Sequence, residues 1–276
     1  MEFIPGFLKG AKAAYDSQNM AGELWNSLMV KLKGRKATIV FTGLPGAGKT
    51  QLLDRLTGKT EKANYVPPGR SAKVEKAGKK VSKDAIRDEP KKRLAYAVIP
   101  GQSSTVRQKA FDDLFSGKTD IAGIVHVVSS GLPTLRFREA MQILKEQHIG
   151  DVATYRQYQL QQEVEDLDET CKAIERYMVA SRKPIWLFVV VTKIDLFLDT
   201  LDHDLSAYET ASSPFVERLR KLQTRVGSLN FDWELVPVSA WNTDFDYNGE
   251  KLISHIGPEQ QKEYLNAFLQ RMIDKC

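Results

Sequence analysis

Apolar positions along this chain fall into two patterns. Runs rich in β-branched, aliphatic and aromatic residues mark strands at 38–42, 123–129, 185–192 and 233–238, with Trp186-Leu187-Phe188-Val189-Val190-Val191 the most apolar stretch. A run with no polar face suits a central strand of a parallel sheet, covered on both sides. Shorter strand candidates lie at 94–99 and, as a hairpin strand, at 72–75. Between most of these runs, apolar residues recur every three or four positions, the helical period. This alternation of strand and helix predicts an α/β fold in three layers: a mostly parallel sheet with helices on both faces.

Three further helical patterns flank or interrupt that core. In residues 1–35, Phe3, Ile4, Phe7, Leu8, Ala11 and Tyr15 form one stripe. Met20, Leu24, Trp25, Leu28, Met29 and Leu32 form a second, followed by basic residues up to Lys36. Such an amphipathic extension suits an anionic membrane surface, its own domain or a partner protein. Between Ser130 and Pro184 the chain is longer than a crossover helix requires. There Leu160, Val164, Leu167, Cys171, Ile174 and Met178 alternate by four and three. That spacing predicts one long helix over 151–181, read either as core packing or as a projecting partner-binding arm. Pro258 opens a closing amphipathic helix whose Tyr264, Leu265, Phe268 and Met272 would face the sheet. The expected organisation is an extension at 1–35, a central domain at 36–250 with a helical insertion at about 136–183, and a C-terminal helix within 251–276.

Chemistry enters at the end of the first strand. Gly43-Leu44-Pro45-Gly46-Ala47-Gly48-Lys49-Thr50 fits the spacing of the phosphate-binding loop of nucleoside triphosphatases. Gly46 and Gly48 free the backbone to aim N–H groups, including that of Ala47, at phosphate oxygens. The start of the helix, through Gln51, adds its positive end. Lys49 would reach the β- and γ-phosphates, and the Thr50 hydroxyl would bind Mg²⁺.

The strand at 185–192 ends in Thr192-Lys193-Ile194-Asp195, and the next in Ser239-Ala240. Both fall at carboxyl ends of strands, where open α/β sheets bind ligands. With the upstream loop, these segments resemble the P-loop GTPases of the Ras-like and translation-factor class. The resemblance implies a three-layer G domain that binds GTP and GDP with Mg²⁺. Asp195 would accept two hydrogen bonds from one edge of guanine, a pattern that adenine does not offer. Lys193 would lay its stem over the base, and the Ser239-Ala240 backbone would approach the guanine O6. One element departs from the family: where its Asp-x-x-Gly loop would stand, the chain reads Val98-Ile99-Pro100-Gly101-Gln102. Gly101 would contact the γ-phosphate, and Gln102 either orients the attacking water or is a solvated loop residue. Val98 takes the place of the Asp that steadies the metal's outer shell, so binding is expected to be more secure than rapid hydrolysis. Candidates for the switch residue that closes on Mg²⁺ are Thr60, Ser71 and Ser82, with Ser71 preferred. Arg70 beside it is either a charge-stabilising or a surface arginine.

The expected function is a GTP-binding switch with weak, partner-stimulated hydrolysis. The alternatives are a non-hydrolysing GTP-binding scaffold and an RNA- or ribosome-associated GTPase. Composition narrows the setting. The net charge is +5, yet residues 59–93 hold twelve Lys or Arg against five Asp or Glu. Such a block attracts RNA or anionic lipid, or is a solvated hairpin. Two cysteines among 276 residues make no disulfide framework, and no apolar run approaches membrane-spanning length. No secretion signal is legible at the N-terminus. A cytoplasmic protein, with a peripheral membrane role for residues 1–35, is the expectation, with an effector or activator protein as partner. His126, inside a buried strand, reads as a core histidine.

Overall fold

Strand β1 (Thr38–Gly43) lies near the middle of a six-stranded sheet, and the chain leaves it in two directions. On one side lies β3 (Tyr96–Val98), pairing Phe41 with Val98, and beyond it the antiparallel β2 (Glu75–Ala77). On the other side lie β4 (Ile121–Val128), β5 (Ile185–Val191) and β6 (Phe231–Pro237), all parallel to β1. The order is therefore β2-β3-β1-β4-β5-β6. Strand order reverses around β1, which opens a crevice at its carboxyl end. The computed structural model describes residues 20–35, 37–61, 66, 75–77, 96–101, 105–135 and 137–276.

The period of two along each strand splits its side chains between two cores. Ile39, Phe41, Trp186, Phe188 and Val190 face a layer built with α1 (Met20–Arg35), α2 (Lys49–Leu56) and α8 (Pro258–Lys275). Val40, Leu187, Val189 and Val191 face the opposite layer, which includes α3 (Thr105–Leu114), α5 (Val152–Ser181), α6 (Leu201–Glu209) and α7 (Pro214–Val226). The short α4 (Arg138–Glu146) buries Leu144 on this second side. A small hairpin of β7 (Phe245–Tyr247) and β8 (Glu250–Leu252) follows β6. The three-layer α/β architecture expected from the pattern is the one found.

Several expected boundaries shift by one to three residues. The strand read at 94–99 is Tyr96–Val98, that at 233–238 is Phe231–Pro237, and that at 123–129 starts at Ile121. The hairpin strand read at 72–75 is β2, with 72–74 outside the described residues.

The reading of the long helix as a projecting arm is corrected. α5 begins where Asp151 accepts a bond from Thr154 N–H at 2.7 Å, and it lies against the sheet. Leu167, Cys171, Ile174 and Met178 are buried in the core, and Leu160 and Val164 pack on it. The heptad-like stripe is spent inside the fold. Two of the acidic residues around that stripe, Glu163 and Asp166, are also buried. The second N-terminal stripe is likewise covered: Trp25, Leu28 and Leu32 are buried, and Lys31 Nζ donates to the Ile273 carbonyl of α8 at 3.0 Å. Burial of such a side chain stabilises by about 1.5–3 kcal/mol, enough to hold α1 to its own domain. The first stripe, from Phe3 to Tyr15, lies outside the described residues. In α8, Leu265, Phe268 and Met272 face the sheet as expected, and Tyr264 reaches the other core. Among the described residues, no helix is long and apolar enough to cross a membrane.

Candidate functional site

Two loops at the carboxyl end of the sheet meet because their glycines leave no side chain between them. Gly46 has φ +76, and a Cβ there would sit 2.4 Å from the Thr134 carbonyl oxygen. Gly43 has φ +127 and would place a Cβ 2.1 Å from the Val127 oxygen. The loop 43–48 therefore lies directly on the β4 end and the segment after it, and Thr134 N–H donates to the Gly46 oxygen at 3.1 Å. Gly48 caps α2 at φ 99 and brings no side chain to the helix's first N–H groups. In general, N–H groups at a helix start favour an anion.

Lys49 is buried and donates to the Gly43 and Leu44 oxygens at 2.7 Å each, so its ammonium is folded onto the loop. Gly101 rests above it: a Cβ at 101 would approach Pro45 N to 2.3 Å and Lys49 Nζ to 2.7 Å.

The end of β5 supplies the other wall. Thr192 Oγ1 lies within hydrogen-bond distance of the Ala47 and Val128 oxygens, at 2.6 and 2.9 Å. Lys193 takes φ 59, and its ammonium donates to the Leu132 oxygen and Thr134 Oγ1 above the Phe245 ring. Asp195 is buried, and Ser239 Oγ donates to it at 2.9 Å. Gln261 of α8 donates in turn to Ser239 Oγ. Burial raises the Asp195 carboxyl above the usual carboxylate range, against the bond from Ser239 and the charge of Lys193.

Gly46, Gly48, Lys49, Thr50, Gln51, Gly101, Thr192, Lys193, Asp195 and Ala240 thus line one cavity of about 280 Å³. Three expected site residues stand behind the wall. Gly43 and Ala47 contribute carbonyls that anchor Lys49 and Thr192. Ser239 is fully buried and orients Asp195 with its side chain. Gln102, Ser71 and Arg70 lie outside the described residues. Val98 is buried in the core at 1 % exposure.

The sequence reading missed Thr134, Phe137, Trp241, Thr243, Asp244, Phe245 and Asp246, which also line the cavity. The available signal was position: these residues follow the ends of β4 and β6, next to segments already singled out. His126 is the core histidine it was read as: its Nδ1 is 2.9 Å from Thr42 Oγ1. It sits in a buried polar cluster that also escaped the sequence. There Arg107 of α3 pairs with Asp166 of α5 and donates to the Pro100 oxygen at 3.1 Å and the Gly43 oxygen at 3.4 Å.

As for a metal, Thr50 lines the cavity at the start of α2. Among the described residues no group of three acidic, His or Cys side chains could hold an ion. The donors present fit a cation only together with oxygens of a bound phosphate.

No protein-family model matches the chain, and no curated protein matches it. Solved structures do. One is the signal recognition particle receptor SRb-GTP/SRX complex from Chaetomium thermophilum: TM-score 0.45, 12% identity, 84% of this chain and 97% of that one. Another is the ADP-ribosylation factor-like GTP-binding protein, small COPII coat GTPase SAR1, from Encephalitozoon cuniculi with GDP. It has TM-score 0.37 and 18% identity over 99% of this chain and 95% of the other. A third is Toc33 from Arabidopsis thaliana with GDP and Mg²⁺: TM-score 0.45, 10% identity, 92% of this chain and 91% of that one.

Proposed function

We propose that this chain is a guanine-nucleotide-binding switch protein, with residues 36–250 as its nucleotide domain. One observation carries the reading: the loop around Gly46, Gly48 and Lys49 and the buried carboxylate of Asp195 line the same cavity. One nucleotide can then place its phosphates at the first and its base at the second.

In this reading Lys49 turns from the Gly43 and Leu44 oxygens to the β- and γ-phosphates. The loop amides and the start of α2 hold the remaining oxygens. Asp195, kept in place by Ser239, accepts from the guanine edge, and the Lys193 stem covers one face of the base. Ala240 is the wall residue beside the base oxygen. Thr50, with phosphate oxygens, would hold Mg²⁺, which when bound neutralises charge between the β- and γ-phosphates.

Turnover, attack of water on the γ-phosphate, is weak and raised by a protein partner, with Gln102 as the residue that orients the water. Ser71 is the residue proposed to close on the ion. The basic stretch 59–93 is a candidate contact for RNA and, because the second stripe of residues 1–35 is covered, the first stripe from Phe3 to Tyr15 is the candidate for a membrane surface.

Mass spectrometry of nucleotide released from the purified chain tests the base and phosphate count together; GTP or GDP is expected. Lys49→Ala should abolish binding of a fluorescent GTP analogue, and unchanged affinity would refute the reading.

A second reading, a scaffold that binds GTP without hydrolysing it, is favoured by Val98, whose side chain is buried in the core. Phosphate release under single-turnover conditions, with and without Mg²⁺, separates the two: release above the uncatalysed rate supports the enzyme.

A further inference from the structure

The polar cluster behind the phosphate-binding loop is built at a cost. Arg107, Asp166 and His126 are exposed by only 4 %, 5 % and 0 %. Buried ion pairs rarely stabilise a fold more than apolar residues of the same volume would. Arg107 comes from α3, the helix that follows the Gly101 segment, and Asp166 comes from α5. The guanidinium contacts four places at once: the Asp166 carboxylate, the Pro100 oxygen, the Gly43 oxygen and, through Nε at 3.5 Å, the more exposed Glu169 carboxylate. The Gly43 oxygen is also one of the two that Lys49 Nζ now holds. Arg107 and the phosphate-seeking lysine therefore share one carbonyl. Nearby, Asp166 Oδ2 and His126 Nε2 lie 3.8 Å apart, and neither has a hydrogen-bond partner. His126 Nδ1 faces the hydroxyls of Thr42 and Thr170. A small shift of the Asp166 carboxylate would let the imidazole Nε2–H donate to it.

We propose that Arg107 is a positioning residue for the third phosphate, with Asp166 as its anchor. The inference rests on the nucleotide reading above. When Lys49 turns to a phosphate it releases the Gly43 oxygen, and Arg107 keeps hold of that oxygen and of Pro100. The guanidinium thereby pins the Gly101 segment against the loop, and the N–H of Gly101 and the ammonium of Lys49 face the same γ-phosphate. A diphosphate does not reach Gly101, so this clamp acts on the triphosphate alone. A planar fork is needed, because it bonds two carbonyls and a carboxylate in fixed directions; a lysine supplies a single point charge.

The test compares affinities of the full chain for GTPγS and GDP, with ATPγS and ADP as base controls, in native protein, Arg107→Lys and Asp166→Asn. Asp166→Asn preserves volume and removes the buried negative charge that anchors Arg107, leaving the arginine and its Glu169 contact in place, so it answers if the arginine variant does not fold. Circular dichroism confirms folding. Each folded variant should keep GDP affinity within about twofold, the size expected when no ligand contact is lost, and lose GTPγS affinity by about tenfold, as for one charge-assisted hydrogen bond. A GTPγS-to-GDP ratio unchanged in the folded variants, or an equal fall for both nucleotides, overturns the role of Arg107 and leaves the nucleotide reading standing. No nucleotide binding by the native chain overturns both.

Discussion

Thr192 and Ala47 are 145 positions apart, yet the Thr192 hydroxyl lies 2.6 Å from the Ala47 carbonyl oxygen. This contact joins the end of β5 to the glycine loop after β1. It sets the spacing between the carboxylate of Asp195 and the phosphate loop, a spacing that no local feature of either segment controls.

Thr192→Val keeps the volume and removes the hydroxyl. It leaves a buried carbonyl at Ala47 without this donor, a change that costs about 1–3 kcal/mol. A lower urea midpoint is expected, together with weaker binding of nucleotide. A variant as stable and as tight-binding as the native chain would show that the contact positions nothing.

Gly101→Ala tests the closeness of the two loops. The new methyl would meet Pro45 N at 2.3 Å, the Leu44 carbonyl carbon at 2.4 Å and Lys49 Nζ at 2.7 Å, and two of these are backbone. The segment must retreat from the phosphate loop. Triphosphate binding, followed by fluorescence titration, should weaken by about tenfold or more, one lost charge-assisted bond, while diphosphate binding changes less.

For Asp195, protonation and substitution should act alike. Burial holds its carboxyl above the usual range, and only the carboxylate accepts both guanine N–H groups. Guanine affinity should therefore fall as pH is lowered, beginning above the ordinary Asp value of about 3.9. Asp195→Asn should remove that dependence and shift preference toward xanthine. Competition titrations of the two nucleotides at several pH values check both outcomes.

Glu163 holds the segment that leads from β4 to Thr134. Its Oε1 accepts from Ser129 N at 2.8 Å, Ser129 Oγ at 3.0 Å and Gly131 N at 3.3 Å, and its Oε2 from the Tyr208 hydroxyl at 2.6 Å. Glu163→Leu strands these buried donors and should cost about 3 kcal/mol or more in urea unfolding. Tyr208→Phe removes one bond of the set and should cost about 1 kcal/mol.

His126 should make the fold sensitive to acid. Burial first, then the charges of Arg107 and Lys49, push its pKa down from 6.5 to about 3. Asp166 and the hydroxyls of Thr42 and Thr170 also face it. The folded imidazole stays neutral while the unfolded one takes up a proton below 6.5. Its stabilising contribution is complete above that pH and declines as pH falls toward 3. Between pH 7 and 5 the native chain should lose about 2 kcal/mol more than His126→Gln does, compared by urea unfolding.

Much of the candidate site was legible because the loops that line its cavity are shaped locally. The glycine spacing before Lys49-Thr50 and the apolar run before Thr192–Asp195 specify backbone shape within a few residues, and local shape is written in local sequence. The same held for the central strands β1, β4 and β5, which are mostly apolar on both faces, and for the closing helix. The long helix was left with two readings, core packing and a projecting arm, for a physical reason. An apolar stripe states that a helix needs a partner surface, and it does not say whose. The burial of Glu163 and Asp166 was not legible, because burial of a carboxylate depends on donors from the end of β4, from α3 and from α6, far away in the chain.

The amino-acid order alone thus indicated the main strands and helices and the glycine-rich loop after β1, since these follow from periodicity and backbone freedom; the β7–β8 hairpin was not among them. Tertiary structure decided what those segments touch. It placed Thr192 on Ala47, Ser239 behind Asp195 and Arg107 between Gly43 and Pro100. Such contacts arise only when the packing of the whole sheet brings remote residues within a few ångströms, and no short-range pattern encodes that distance.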